Sequence, residues 1–332
     1  MRKIALAAAL ALLPGLALPS TARADANELR IAKQYGLGYL QLILAQDREL
    51  MEKHAKAAGL GDIKVSWATF RSSDVMNDAL ISGNVDYVCL GIPGLATIWA
   101  RTRGSIDVRG VAGLNALPLT LTARNPALKS IRDFTDKDRI ALPAVKVSMQ
   151  AIMLQMAAAK EWGEAAFAKL DPLTVQMSHP DGTAQMLSPG GEITAHFTSL
   201  PFSNRQLAAP GIHKVLTSTD IVGGKLSFNI IAATSKFRTA NPKLHAVFLA
   251  GMADATAQIN ADKRGAAETY ARVTGDKTPV AELEKMIADP DNEYTIRPFN
   301  VLPMIEFMHK TGAIKVKPAG MADLMFPDAP GS

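Results

Sequence analysis

The sequence predicts an α/β protein of two lobes, in which each lobe is a mostly parallel sheet flanked by helices and two crossover segments join the lobes. Three observations support this prediction. Short β-rich segments alternate with helical ones from residue 28 onward, a pattern typical of right-handed crossovers and parallel strands. The alternation stops at an extended segment and then restarts. The 332 residues also exceed the usual size of a single domain.

The first lobe is predicted to open with three strand-helix pairs. Helix formers with apolar spacing mark the helices, and alternating or continuous apolar runs mark the strands. Ser72 or Ser73 is expected to cap the second helix, and Gly83 to end it. The predicted elements are strand 28–35, helix 38–59, strand 62–67, helix 72–83, strand 85–90 and helix 92–102.

The second lobe is predicted to follow an extended connector at 118–125, and a second extended segment at 226–234 returns the chain to the first lobe. The tail from residue 241 is predicted to be helical. The predicted elements of the second lobe are strand 139–144, helix 148–163, strand 173–178, a helix near 183–187 and strand 192–198. The expected division is a signal at 1–24, a first lobe of 25–118 and 233–332, and a second lobe of 119–232 that includes the crossover strands.

The first 24 residues are typical of a secretory signal. Two basic residues precede an apolar stretch, and the small residues Ala22 and Ala24 form an A-x-A cleavage site. The alternative is an uncleaved membrane anchor, but the apolar run is shorter than the roughly 20 residues that a span needs. We therefore expect a periplasmic protein that starts at Asp25, with a formal charge of +2 in place of the +5 of the whole chain.

The composition argues against several functions. A small net charge and few aromatic residues do not predict nucleic-acid binding. The single cysteine, Cys89, cannot form an internal disulfide or a thiolate metal site by itself. The hydrolase, zinc-protease and phosphate-loop motifs are absent from the sequence, and its six histidines lack the spacing of metal ligands. We therefore expect no catalytic residues, no metal and no cofactor.

Glycine-containing turns after the predicted strands are the candidate binding features. Ligands of parallel sheets lie beyond the carboxyl ends of the strands, where helix N-termini offer free N–H groups. Gly91 permits close backbone approach, and Pro93 suits an early helix position. The alternative is a tight turn without a ligand. The same geometry is expected to recur at 34–40, 70–74 and 144–150.

Individual side chains near these turns carry competing interpretations. Cys89 is expected to pack in the core rather than to act as a nucleophile. Arg71 either pairs with an anionic ligand group or is a solvated surface residue. His196 ends a strand of the second lobe and either lines the cleft or is structural. Tyr35, Tyr39 and Phe197 are expected to give the cleft a partly aromatic wall.

The ordered set of segments resembles the periplasmic substrate-binding proteins of nitrate, sulfonate and taurine ABC importers and their thiamine-precursor relatives. The matching segments are "DALISGNVDYVCLGIPGLATIWA", "RIALPAVKVSMQAIMLQMA", "ITAHFTSLPF" and "ATSKFRTANPKLHAVFLAGMADATAQIN". The resemblance implies the two-lobed periplasmic binding protein fold (type 2). It also implies a monomer that closes on a small ligand and delivers it to an ABC permease of the inner membrane.

The resemblance also implies which turns form the pocket. The turn after strand one, the turn after strand three and the helix start of the second lobe, Val147 and Ser148, would contact the ligand. At 143–149 this chain is bulkier and poorer in hydroxyl groups than the family pattern, and Thr194 replaces an aspartate that is frequent there. These departures favour an organic ligand, sulfonate- or carboxylate-like, over a small inorganic anion.

Two other functions share this scaffold. Pyrimidine-precursor-synthesising enzymes carry a cysteine-rich segment that this chain lacks, and a ligand-binding partner of a sensor is the second alternative. The residues expected to bind the ligand are Tyr35, Gly36, Leu37, Gly38, Tyr39, Arg71, Ser72, Gly91, Ile92, Pro93, Val147, Ser148, His196 and Phe197.

Overall fold

The computed structural model describes residues 27–331, so the predicted signal at 1–24 lies outside the described residues. The strands are β1 (Glu28–Lys33), β2 (Lys64–Thr69), β3 (Tyr87–Gly91), β4 (Val108–Ala116), β5 (Thr120–Ala123), β6 (Ile140–Leu142), β7 (Thr174–Gln176), β8 (Ala195–Thr198), β9 (His213–Thr217), β10 (Asn229–Thr234) and β11 (Glu293–Tyr294).

Helices cover both sheets and form most of the C-terminal tail. They are α1 (Leu40–Asp47), α2 (Leu50–Ala57), α3 (Ser73–Ile81), α4 (Ile92–Thr102), α5 (Met149–Trp162), α6 (His179–Leu187), α7 (Phe202–Leu207), α8 (Ser218–Val222), α9 (Ser235–Ala240), α10 (Pro242–Ala261), α11 (Lys263–Thr274), α12 (Val280–Ala288), α13 (Leu302–Lys310) and α14 (Met321–Leu324). Among residues 27–331, no helix is both long and apolar enough to cross a membrane.

The first lobe is built on a six-stranded sheet with the order β11-β4-β10-β3-β1-β2. Its N-terminal half is the predicted strand-helix alternation: β1 lies parallel to β2 and to β3, with Ile31 paired to Trp67 and to Tyr87. The strand β10 is antiparallel to both β3 and β4. The sheet is therefore mixed, because β10 and β11 run opposite to the strands β1 to β4.

The second lobe is built on a five-stranded sheet with the order β7-β6-β8-β5-β9. Here β6 is parallel to β7 and β8, whereas β5 is antiparallel to β8 and β9. Two mixed sheets flanked by helices confirm the predicted α/β class.

The chain crosses between the lobes twice. The first crossing is the short segment between β4 and β5, and the second precedes β10. The boundary expected after residue 232 falls inside β10, where Ile231 pairs with Cys89 on one side and Ala112 on the other. All of β10 thus belongs to the sheet of the first lobe.

Two of the differences from the local predictions have a clear cause in the structure. The helix predicted over 38–59 is two helices, α1 and α2, because Glu49 adopts the left-handed conformation with φ 50° and interrupts the hydrogen-bond ladder. The strand β4 was not predicted, since Gly110 and Gly113 weaken its strand pattern. Both glycines are close-packed: a Cβ at Gly110 would lie 2.1 Å from Sδ of Met325, and one at Gly113 would lie 2.8 Å from the backbone of Arg297.

Cys89 lies in the core, as expected. It is 1 % exposed, and burial raises the pKa of its thiol well above the usual range. Nearby, the ring of Tyr87 stacks on Phe248 with centroids 3.8 Å apart, and the Tyr87 hydroxyl hydrogen-bonds Nδ1 of His245 at 2.7 Å. The thiol is therefore protonated and enclosed rather than reactive.

The lobes touch along both sides of the cleft between them. On one side the backbone N–H of Leu37 donates to the carbonyl of Leu200 at 2.9 Å. On the other side the rings of Phe167 and Phe307 meet edge to face, with centroids 6.3 Å apart. The structure is thus a closed arrangement of the two lobes.

Candidate functional site

A small cavity of about 20 Å³ lies between the lobes, where the helices of both lobes begin. Its volume is close to that needed by one water molecule. A larger occupant therefore requires the lobes to separate. The cavity is lined by Gln34, Tyr39, Ser73, Gly91, Pro143, Ser148, Met149, Gln150, His179, Phe228 and Asn229.

The wall formed by the first lobe comes from the carboxyl ends of its parallel strands. Gln34 follows β1, Ser73 begins α3 after β2, and Gly91 ends β3. Nε2 of Gln34 donates to Oγ of Ser73 at 3.3 Å, so two strand ends are linked at the cavity wall. The hydroxyl of Tyr39 donates to Oδ1 of Asn229 at 3.4 Å. Sheet geometry thus gathers side chains that are distant in sequence.

Gly91 brings the lobes into direct contact. It precedes α4 in an extended conformation, with φ −64°. A Cβ at this position would lie only 3.1 Å from Cβ of Met149, which belongs to the second lobe. Glycine is required here for close approach rather than for an unusual backbone angle.

The wall formed by the second lobe comes from the starts of α5 and α6. Ser148 caps α5, with its Oγ accepting from the N–H of Ala151 at 3.2 Å. Gln150 lies in the first turn of α5, and His179 begins α6 after the capping residue Ser178. Nε2 of Gln150 lies 3.2 Å from Nε2 of His179.

His179 is connected to a buried network behind the cavity. Its Nδ1 lies 3.3 Å from Nε2 of His196 and 3.0 Å from Oγ1 of Thr198. Nδ1 of His196 lies 2.7 Å from Nε2 of Gln206. His196, Thr198 and Gln206 are completely buried, so this network is isolated from solvent.

The wall is electrically neutral among the residues described. Burial lowers the pKa of His179 to about 3, and burial followed by the neighbouring His179 lowers the pKa of His196 well below its usual range. Burial also raises the pKa of the Tyr39 hydroxyl. The lining includes no lysine, arginine, aspartate or glutamate. The cavity therefore offers hydrogen bonds from neutral groups.

Comparison with known proteins gives matches at the level of structure alone. The sequence matches no protein-family model and no curated protein. Solved structures resemble it over most of its length. The alkanesulfonate-binding protein SsuA from Xanthomonas axonopodis pv. citri bound to MOPS aligns with TM-score 0.71 and 19% identity, over 92% of this chain and 98% of that one.

Two further structures show the same architecture. The periplasmic nitrate-binding protein NrtA from Synechocystis PCC 6803 aligns with TM-score 0.70 and 14% identity, over 90% of this chain and 84% of that one. The Candida albicans CA3427 gene product is described as exhibiting the generic periplasmic binding protein structural fold. It aligns with TM-score 0.67 and 13% identity, over 87% of this chain and 92% of that one. This chain has the periplasmic binding protein fold.

Within this fold, a second, larger space lies at the mouth of the cleft. This outer chamber of about 580 Å³ opens next to the small cavity, and Gln34 borders both. The ammonium group of Lys33 donates to Oγ1 of Thr69 at 3.1 Å, and burial lowers its pKa. Residues of both lobes line the chamber, among them Lys33, Tyr35, Gly36, Phe202, Arg205, Asp276 and Lys277.

The structure distributes the predicted binding residues over several environments. Three line the small cavity: Tyr39, Gly91 and Ser148. Two line the outer chamber: Tyr35, 40 % exposed, and Gly36. The others line neither space: Leu37, Gly38, Ser72, Ile92, Pro93, His196 and Phe197 are buried, whereas Arg71 and Val147 are exposed.

Several of these other residues still support the wall. The carbonyl of Gly38 accepts from Nδ2 of Asn115 at 2.7 Å and from Nδ2 of Asn229 at 2.9 Å, which orients Asn229 at the cavity. His196 contacts His179 from behind. Their position is thus one layer behind the surface that a ligand would touch.

Eight residues of the wall were not predicted from the sequence: Gln34, Ser73, Pro143, Met149, Gln150, His179, Phe228 and Asn229. The first two, Met149 and Gln150 lie inside the predicted turns, and Pro143 directly precedes one of them. His179 was not predicted because the histidines lack the spacing of metal ligands. The signal that marks it is local: Ser178 and Pro180 begin a helix directly after the strand β7. Phe228 and Asn229 lie where the second crossing enters β10, and no motif marks them.

Proposed function

We propose that this protein is the periplasmic solute-binding component of an ABC import system. In this proposal it captures a small organic ligand with a sulfonate- or carboxylate-like group between its lobes, and an inner-membrane permease receives the ligand. The single observation that carries the proposal is the neutral polar wall at the lobe interface, to which both lobes contribute. The signal-like residues 1–24 support export.

The geometry couples binding to lobe closure. Gln34, Tyr39 and Ser73 belong to the first lobe, whereas Ser148, Gln150 and His179 belong to the second. A ligand that accepts hydrogen bonds from both sets is held only when the lobes are close together. The lobes of the ligand-free chain would therefore sample an open arrangement, and the ligand would shift the population toward the closed one.

The chemistry of the wall supports binding rather than catalysis. A general base at neutral pH needs a pKa near the operating pH, and the pKa of His179 is about 3. The one cysteine is buried in the core of the first lobe. An oxyanion held by several neutral donors remains chemically unchanged, which is what delivery to a permease requires.

Lys33 supports an anionic ligand. Its partly buried ammonium faces the outer chamber and donates a hydrogen bond to the neutral hydroxyl of Thr69. A cation at the mouth of a cleft raises the local concentration of anions and their rate of association. The neutral inner wall would then fix the oxygen atoms of the ligand.

Two measurements test the proposal. Mass spectrometry of small molecules released by denaturing the purified protein would identify a carried ligand. Calorimetric titration with methanesulfonate, taurine, MOPS and nitrate would then compare organic sulfonates with an inorganic anion. We expect one site per chain, with a sulfonate bound more tightly than nitrate. Absence of a released organic anion together with absence of binding to all four probes would refute the proposal.

A variant pair locates the site. We expect Gln150→Ala to weaken binding about fivefold, which corresponds to about 1 kcal/mol for a lost hydrogen bond. Gln155→Ala is the matched control, because Gln155 lies on the same helix but donates to Asp171 at 2.9 Å instead of facing the cavity. Equal affinities of the two variants would place the ligand elsewhere.

A further inference from the structure

A chain of buried polar side chains runs from β5 to the cavity wall. It connects Thr122, Gln206, His196 and His179, and each of these side chains is at most 6 % exposed. Buried polar groups must be satisfied by partners of the correct type, since an unmatched donor or acceptor costs about 1–3 kcal/mol. The positions of the protons in this chain therefore follow from its distances.

The orientation of the Gln206 amide is set by Thr122. The Gln206 atom next to Oγ1 of Thr122 lies only 2.5 Å from it. That separation suits an O–H···O bond and is too short for an N–H···O bond. The carbonyl oxygen of Gln206 therefore faces Thr122, and its NH2 group donates to Oγ1 of Thr183 at 2.9 Å and to Nδ1 of His196 at 2.7 Å.

This orientation determines the proton positions on both histidines. Because the amide NH2 group can only donate, Nδ1 of His196 must accept, and a neutral imidazole then carries its proton on Nε2. That proton points to Nδ1 of His179, 3.3 Å away. Nδ1 of His179 is consequently also an acceptor, and the single proton of His179 lies on Nε2, at the cavity wall.

The ring of His196 is packed closely against α6. A Cβ at Gly182, on α6, would lie 2.7 Å from Cε1 and 2.8 Å from Nε2 of His196. The ring centroid of His179 lies 5.7 Å from that of Phe202. The close contact with α6 restricts rotation of the His196 ring.

We propose that Gln206, acting through His196, holds His179 as a neutral Nε2–H donor to the carbonyl oxygen of Gln150, and that this bond leaves the NH2 group of Gln150 to bind an oxygen of the ligand. The inference rests on the proposed function only in taking this cavity as the ligand site. Gln206, His196 and His179 are positioning residues, whereas Gln150 touches the ligand.

The amide of Gln150 specifies the ligand group. Its terminal atom next to His179 lies 3.2 Å from Nε2 of that ring, a hydrogen-bond distance, so one of the two groups must accept. Because His179 carries its proton on Nε2, the amide must be turned so that its carbonyl oxygen accepts, and its NH2 group is the donor left for the ligand. The partner of this donor is a carboxylate or sulfonate oxygen, which has several lone pairs and no proton. An ammonium group would meet a donor and be rejected.

The tautomers are measured directly by long-range proton–nitrogen NMR of the histidine rings in the ligand-free protein at pH 7. We expect His179 and His196 both to be protonated on Nε2 only. A proton on Nδ1 of either ring, or a doubly protonated ring, overturns the inference whether or not any ligand binds.

The variant Gln206→Met tests the relay itself. It removes the donor to His196 while retaining a similar volume, so we expect a fraction of His179 to move its proton to Nδ1 and the affinity for methanesulfonate to fall about fivefold. Gln155→Met is the control and should leave the histidine spectrum unchanged. An unchanged His179 tautomer in Gln206→Met contradicts the relay. If that variant does not fold, the wild-type spectrum decides.

Titration of the wild-type protein with methanesulfonate tests the role of Gln150. Binding should shift the side-chain NH2 resonances of Gln150, and methylammonium should not. Binding detected by calorimetry without any shift of these resonances overturns that role. A lack of methanesulfonate binding counts against the proposed function, and the tautomer spectrum still decides the inference.

Discussion

At the scale of single residues, the buried histidines make stability depend on pH. Burial depresses the pKa of His179 to about 3 and that of His196 well below 6.5. Between these values and about pH 6.5 the unfolded chain binds more protons than the folded one. The free energy of unfolding is therefore highest above pH 6.5 and falls as the pH drops toward the folded-state values.

We predict that, below pH 6.5, the free energy of unfolding falls by up to about 1.4 kcal/mol per pH unit for each of these two histidines. Urea denaturation at pH 7.5, 6.5, 5.8 and 5.0 measures this slope. These pH values lie above the range in which the titration of carboxylates dominates the pH dependence. His179→Gln should reduce the slope, because glutamine does not titrate. Equal slopes for wild type and variant would show that the histidine contributes nothing to the acid sensitivity.

Cys89 gives a second prediction at this scale. Its side chain is enclosed by the core of the first lobe, so Cys89→Ser places a hydroxyl without a designed partner in an apolar site. We expect a loss of about 1–3 kcal/mol in the free energy of unfolding and unchanged ligand affinity. Cys89→Ala controls for the lost volume. Lost affinity in a variant that unfolds like the wild type would contradict the core assignment.

At the scale of elements, the turn from β3 into α4 controls how closely the lobes approach. The Cβ of any residue at position 91 would lie 3.1 Å from Cβ of Met149, and the methyl groups of valine would extend further. We predict that Gly91→Val keeps the lobes apart and weakens binding at least tenfold, about 1.4 kcal/mol. Calorimetry on the folded variant measures the effect.

Two further variants make the Gly91 test specific. Met149→Gly in the Gly91→Val background should restore part of the affinity, because it removes the Cβ that the valine would contact. Gly190→Ala is the control, since a Cβ there would meet no atom within 4 Å. Failure of Met149→Gly to rescue would mean that the valine acts within the first lobe.

The elements also show what the sequence can and cannot predict. The strand-helix alternation from β1 to α4 follows local apolar spacing and caps, and it was predicted closely. The strand β4 was not predicted, because its glycines are explained only by the distant Met325 and Arg297.

In the candidate site, the turns were predicted from sheet geometry. The proton relay depends on Gln206 and Thr122 meeting in space, which no local pattern reveals.

At the scale of the whole molecule, ion pairs span the lobes, among them that of Lys310 with Glu164 and the better buried pair of Arg205 with Asp276. Nη2 of Arg205, on α7 of the second lobe, lies 2.8 and 2.7 Å from the carboxylate oxygens of Asp276 in the first lobe. The side chain of Asp276 is only 6% exposed, although that of Arg205 is 35% exposed. The pair exists only when the lobes are closed, so it favours the closed state.

We predict that Arg205→Met shifts the ligand-free population toward the open state. Because the arginine is partly exposed and its charge is screened by solvent, the closed state should lose only about 1 kcal/mol of stability. That loss corresponds to a roughly fivefold lower ligand affinity. Small-angle scattering should show a larger radius of gyration. Arg272→Met is the control, because its pair with Asp47 lies within the first lobe. Equal radii for the two variants would contradict a role in closure.

The position of β10 has a consequence for the order of folding. This strand lies between β3 and β4, yet it follows them in the chain by more than a hundred residues. As the chain is synthesised from its N-terminus, the six-stranded sheet lacks its middle strand until Asn229–Thr234 arrive. The five-stranded sheet is complete by Thr217. The second lobe can therefore form first, while the two halves of the first remain apart until the late strand joins them.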